Sequence, residues 1–437
     1  MKRILLIVAI ATMFVQGKAQ EKWSLQQCVD YALENNIVIK QYQLNTEYQK
    51  NEFNQAKFNK LPDLGVDLSQ SVSFGRQENL EGTYDTNNSA STSASVSSSV
   101  LVWRGGILNN TIKQNEFSLK SSLENLQKAK DDVTLNIASA YLDILFAQEL
   151  IKVAETQVDQ TQKQIERSKK LVDAGKIAGG ALLEIQAQLA REQLDVVNRK
   201  NNLQIAYLNL AQLLELDDYS KFEIEVPEIP ELKAQISLMA SNAVYLKAVD
   251  VRPEIKSAEY QLKNSEVQLD IAKGAKLPSL YARAGITDNY RAYTNAPTFG
   301  DQATGNIGEY VGLSLNIPLF SKFQNNTNIA NSEIQIISKQ LDLESAKKTL
   351  RKQIEQVYTN AVAALERYNA NKVAVNSMTE SFRYIEEKFN VGRVNSVEYN
   401  DAKSKLAISE SDLIQAKYEF IFRSKILDFY NGIPISL

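Results

Sequence analysis

The sequence predicts an α+β membrane protein: a tandem structural repeat of long coiled-coil helices, with four β-strands per chain. Three observations carry this expectation. Two stretches in each half of the chain alternate apolar with small polar residues at a period of two. Very long proline-free runs keep a 4-3 apolar spacing. A set of residue matches recurs at an offset of 216 or 217 positions.

Composition narrows the function. The 437 residues are 44% apolar and 23% charged, ordinary values for a folded chain. There is no histidine, which removes the usual general base and the commonest metal ligand. Cys28 is the one cysteine, so no intramolecular disulfide can form. Only 8 prolines and 17 glycines are present, where average usage would give roughly 22 and 30; long uninterrupted elements follow. A net charge of −3 gives no support for nucleic-acid binding. No enzyme, metal site or cofactor is expected.

Residues 1–19 read as a signal peptide. Lys2 and Arg3 precede the apolar stretch Ile4 to Val15, and Gly17-Lys18-Ala19 offers small residues at −3 and −1. Cys28 lies too far from that stretch to be a lipoprotein cysteine, and is expected as a small apolar residue on a helix face. The first repeat then covers 20–216, a linker 217–244, and the second repeat 245–437. Ala56-Lys57-Phe58-Asn59-Lys60-Leu61-Pro62 matches Ala272-Lys273-Gly274-Ala275-Lys276-Leu277-Pro278 across the two repeats. Asn109-Asn110 matches Asn325-Asn326, and Gly175 matches Gly392. Pro227 and Pro230 in the linker suggest a path over the surface.

The strands are expected at about 64–74, 90–102, 280–287 and 310–318. Leu64, Val66, Leu68, Val72 and Phe74 oppose Gly65, Asp67, Ser69, Ser71 and Ser73. Strands of this length, with one apolar and one small hydroxyl-rich face, suit an outer-membrane barrel better than a soluble hairpin. The polar connections at about 75–89 and 288–309 fit extracellular loops. Trp103 and Phe320 fall at strand ends, where an interfacial aromatic belt would lie. Pro62, Pro278 and Pro318 mark helix-strand transitions. Four strands cannot close a barrel, so copies must join: a dimer gives eight strands, a trimer twelve.

Between Gly105 and Asp173, Leu119, Leu123, Leu126, Val133, Ile137, Ala140, Ile144, Ala147, Ile151, Ala154, Val158 and Ile165 follow a heptad frame. Only Lys130 and Thr161 interrupt it. A helix of about 65 residues is roughly 100 Å long. Its counterpart runs from about Asn325 to Asn390. Each ends in a glycine turn, near 174–180 and 391–396. A cytoplasmic coiled-coil scaffold would explain the helices but not the signal peptide or the strands.

In this order the features resemble the TolC-like outer-membrane efflux proteins. The resemblance rests on Trp23-Ser24-Leu25 leading into Cys28-Val29-Asp30-Tyr31-Ala32-Leu33-Glu34-Asn35-Asn36, on Arg252-Pro253-Glu254-Ile255, on the duplicated Lys-Leu-Pro, and on the glycine tips. It implies a homotrimer sharing one twelve-stranded barrel in outer-membrane lipid, with a helical barrel across the periplasm. It also implies a passive exit duct for efflux or type I secretion, fed by an inner-membrane pump through a periplasmic adaptor. Glu398 and Asp401, at +6 and +9 from Gly392, look like the family's pore-constriction acids, and Glu184 is the first-repeat candidate. Ala174, Gly175 and Lys176, with Val391, Gly392 and Arg393, are the adaptor-docking candidates. The alternative is a non-conducting structural or adhesion stalk.

Overall fold

A computed structural model describes residues 22–78, 82–86, 89–220, 222–227, 238–292 and 297–435. Residues 1–19, expected from the sequence to be a signal peptide, lie outside them. In chain order the elements are α1 (Leu25–Asn35), α2 (Ile37–Phe58), β1 (Gly65–Ser73), β2 (Arg76–Glu78), β3 (Tyr84–Thr86), β4 (Ser89–Arg104), α3 (Ile107–Asp173) and α4 (Gly179–Leu213). They continue with α5 (Ser241–Val251), α6 (Pro253–Gly274), β5 (Ser279–Ala292), α7 (Phe299–Gly305), β6 (Gly308–Asn316), α8 (Gln324–Asn390) and α9 (Ser396–Tyr430). They fall into two units, each assembled from both repeats.

The unit of Leu44–Glu124 and Lys256–Ala346 holds the sheet. Its order is β1-β4-β5-β6, and every pairing is antiparallel. Alternation along each strand puts Val66, Leu68 and Val72 on one face and Asp67, Ser69 and Ser71 on the other. The apolar face lies open, with Val311 91% exposed. On the polar face Ser71 and Ser91 share a hydroxyl hydrogen bond of 2.7 Å, and Ser93 donates to Asn289 at 2.6 Å. Two connections are more ordered than polarity suggests. β2 and β3 pair within the first. In the second, β5 runs on to Ala292 and α7 follows. The Gln302 side chain explains the second case: it accepts from the Arg291 N–H and donates to the Arg291 carbonyl, both at 2.9 Å.

Helix and strand meet tightly where glycine allows it. Gly105, at φ +51°, approaches Gly274 so closely that a Cβ on Gly105 would sit 2.5 Å from the Gly274 carbonyl oxygen. Only residues without a Cβ fit both sides of this contact.

The second unit, Met1–Gln43, Asn125–Ile255 and Lys347–Leu437, is mainly helical where described. Ser24 and Gln27 close a capping box that starts α1 and turns Cys28 and Ala32 into the core. Cys28 is a free, buried thiol. Of the heptad residues, Val133, Ile137, Ala140, Ile144, Ile151 and Ala154 are buried, and Ala129 serves where Lys130 breaks the frame. Leu123, counted in that frame and assigned to the sheet-bearing unit, is 48% exposed. Part of the segment expected over the surface is built into the core instead. Ile224 bridges Trp23, and Tyr141 donates its hydroxyl to the Glu225 carbonyl at 2.6 Å. The apolar Phe222 and Ile224 supply the reason.

Candidate functional site at the helix-hairpin ends

Both hairpins turn by the same device. At the end of α3, the Gly175 N–H donates to the Val172 carbonyl and the Lys176 N–H to the Leu171 carbonyl. At the end of α8, the Gly392 N–H donates to Phe389 and the Arg393 N–H to Lys388. These paired bonds need a left-handed residue, and Gly175 and Gly392 sit at φ +68° and +74°. Ala174, Gly175, Lys176, Val391, Gly392 and Arg393 are all exposed.

Behind them lies a small core of Ile185, Phe382, Phe389 and Tyr399. The Tyr399 ring lies 4.8 Å from Phe389 and 5.4 Å from Phe382. Burial pushes its hydroxyl up to about 12. The cluster draws on α4, α8 and α9, so the two hairpin ends lie side by side. A hydrogen bond from the Ser396 hydroxyl to the Glu184 carboxylate joins the starts of α9 and α4.

Each acid predicted for the constriction has a local partner. The Glu398 N–H donates to the Asn395 side chain at 2.8 Å, which caps α9, and the Glu398 carboxylate accepts from the Asn395 amide at 3.2 Å. Asp401 pairs with Lys405 at 2.7 Å. Both acids are exposed, whereas Tyr399 and Lys403 between and beyond them turn inward. Glu184 is committed to Ser396.

Sequence reasoning missed a buried polar cluster further along the same helices. Lys403 on α9 is 3% exposed and Glu192 on α4 is 7% exposed. The Lys403 ammonium donates to Glu192 at 3.0 and 3.2 Å, to the Gln157 carbonyl at 2.6 Å, and to the Thr161 hydroxyl. Thr161 in turn donates to Glu192 at 2.6 Å. Burial holds the lysine below its ordinary range, while Glu192 opposes that shift. The signal was present: Thr161 breaks the α3 heptad, and Ser396, Tyr399, Lys403 and Leu406 follow a 3-4 spacing that puts a charge on a packing stripe.

Arg252 forms a second charged core in this unit. Its guanidinium meets Asp131 at 3.0 Å and Glu254 at 3.2 Å, and it lies over Phe429 and Tyr430 at 5.2 and 5.4 Å. Burial raises the Asp131 carboxyl, and Arg252 pulls it back down. The Arg-Pro-Glu motif is thus a packing element here.

In the sheet-bearing unit, Pro62 precedes β1, Pro278 directly precedes β5, and Pro318 follows β6. Trp103 pairs opposite Leu280 near the helix end of β4. Phe320 stands edge-on to Phe323 at 5.8 Å.

Comparison with known proteins supplies the context. Residues 28–215 and 244–427 match the outer membrane efflux protein family. The outer membrane protein TolC of Escherichia coli K12 is 22% identical, over 96% of this chain and 84% of its own. The fold is shared with the outer membrane protein VceC of Vibrio cholerae, at a TM-score of 0.79 and 16% identity over 94% of this chain and 97% of that one. The transmembrane channel CusC superposes at 0.80, with 18% identity and 96% of each chain covered. With its duplicated helical hairpins and its open-edged sheet, the chain belongs to the outer membrane efflux protein family and is an exit duct of the outer membrane.

Proposed function

We propose that three copies join their sheets edge to edge into one twelve-stranded barrel. A periplasmic adaptor and an inner-membrane pump would then deliver cargo to the hairpin ends. The single observation that carries this is a four-stranded antiparallel sheet with β1 and β6 unpaired at its edges and an apolar face open to the surroundings. Unpaired edges and exposed leucine and valine are costly in water, and open edges are intolerable in lipid. β1 and β6 run in opposite directions, so β6 of one copy can pair antiparallel with β1 of the next. Among the described residues no helix is long and apolar enough to cross a membrane.

In this reading the exposed glycine turns present Ala174, Gly175, Lys176, Val391, Gly392 and Arg393 to the adaptor. Threefold repetition brings the exposed Glu398 and Asp401 into carboxylate rings that attract cations. Glu184 ties the first hairpin to Ser396 beside that ring. The trimer is weighed by mass measurement of the detergent-extracted complex, then placed in a planar bilayer. Multivalent cations added on the hairpin side should block current. Glu398→Ala with Asp401→Ala should abolish the block without losing trimer, because an exposed pair such as Asp401–Lys405 adds little stability. A monomeric extract, or a trimer silent in both forms, favours the non-conducting stalk. A block unchanged in the double variant removes the acids from the constriction.

A further inference from the structure

The junction between helices and sheet carries a collar of basic side chains that nothing in the channel function uses. Lys57 and Lys60 end α2 and its turn, and Lys273 and Lys276 occupy the matching positions at the end of α6 and in its turn. Arg104 closes β4, and Lys322 lies between β6 and α8. All six are exposed. Contacts hold the junctions together: Lys60 donates to Asn109 at 2.7 Å, Gly105 packs on Gly274, and Asn325 donates to the Ala275 carbonyl at 3.3 Å.

None of the six pairs with a carboxylate among the described residues. On α3, by contrast, Lys120, Lys128 and Lys163 each pair with an acid four residues away at 2.5–2.6 Å. Asp63, the carboxylate closest in sequence to Lys60, is taken by the backbone N–H and hydroxyl of Ser99. The collar is therefore an uncompensated positive surface.

Apolar side chains are displayed beside it. Leu319 is 94%, Phe320 74% and Phe323 67% exposed. Lys322 and Phe323 are held at φ +50° and +62°, a left-handed conformation that neither residue favours. Strain of this kind persists where the surroundings or a function maintain it. The segment thus presents three apolar groups and one cation outward, next to the open apolar face of the sheet.

We propose that this collar binds the anionic phospholipid headgroups of the leaflet on the helix side of the sheet. The proposal rests on the barrel reading above. Acyl chains would lie against the sheet, the aromatic rings at the interface, and the phosphates against the lysines. Basic groups near an anionic surface each favour binding about fivefold, and the effect fades with salt.

Trp103 provides a native reporter inside the belt. The full-length protein is reconstituted in vesicles containing brominated phosphatidylglycerol or brominated phosphatidylcholine. Tryptophan quenching is compared with a Trp103→Phe control that removes the reporter. The expected result is a several-fold preference for phosphatidylglycerol at low salt, lost at 1 M salt. Replacing Lys57, Lys273, Lys276 and Lys322 by glutamine together should bring the preference close to one, while the same four changed to arginine keep it. Equal quenching of native protein by both lipids, or a preference unchanged by the glutamines, overturns the collar alone. Trp103 quenched by neither lipid overturns the barrel reading and the collar with it.

Discussion

Lys403→Met and Glu192→Leu test whether the buried pair binds the two hairpins together. Removing one partner leaves a charge in a site where Lys403 is 3% and Glu192 7% exposed. An uncompensated buried charge costs about 3–5 kcal/mol. Removing both leaves the Thr161 hydroxyl and the Gln188 side-chain amide, which both donate to Glu192, short of partners, a loss of about 1–3 kcal/mol. The double variant should therefore be more stable than either single one, with a coupling energy of at least about 3 kcal/mol. The assay is guanidinium unfolding of the detergent-solubilised protein, followed by helical circular dichroism, with the slope checked for constancy. A pH series gives an independent sign. In Glu192→Leu the lysine is buried without its partner, and desolvation favours its neutral form. Between that lowered value and the ordinary lysine range, the unfolded chain binds more protons than the folded one, so stability rises with pH. The Glu192→Leu penalty should shrink as pH is raised from 7 toward 10. Additive single-variant costs, or a penalty that grows with pH, would refute the argument.

Two further perturbations probe the backbone and the thiol. Gly105→Ala forces a Cβ to 2.5 Å from the Gly274 carbonyl oxygen and should cost about 2–5 kcal/mol, seen as a fall in folded protein recovered from the membrane. Gly392→Ala meets open space and carries only left-handed strain, about 1–2 kcal/mol in the same unfolding assay; equal losses at both sites would contradict the contrast. Burial pushes the Cys28 thiol up to about 12. A maleimide should leave native protein unlabelled at pH 8 and react once denaturant is added. The raised value also means that the thiol's contribution to stability is full below about pH 8.5 and is lost as pH climbs toward 12.

Much of the architecture was legible from periodicity. Leu280, Ala282, Ala284 and Ile286 face one way because a strand's side chains alternate, whatever they pack against. Ile137, Ile144 and Ile151 share a stripe because seven residues make nearly two helical turns. Gly175 and Gly392 marked the turns because a left-handed position excludes most side chains. These are local rules, and the sequence by itself determined the elements, their apolar faces and where the hairpins reverse.

Neighbours across the fold were not legible. Lys403 and Glu192 lie 211 positions apart and Ser396 and Glu184 lie 212 apart, in helices whose relative register no local pattern records. Phe222 and Ile224 looked like linker residues because their partners, Tyr207 and Trp23, come from other parts of the chain. Tertiary structure alone decided these pairings. A heptad assigns a residue to a face, but which residue meets it depends on the axial offset between helices, and that offset is set by the summed packing of the whole helical unit.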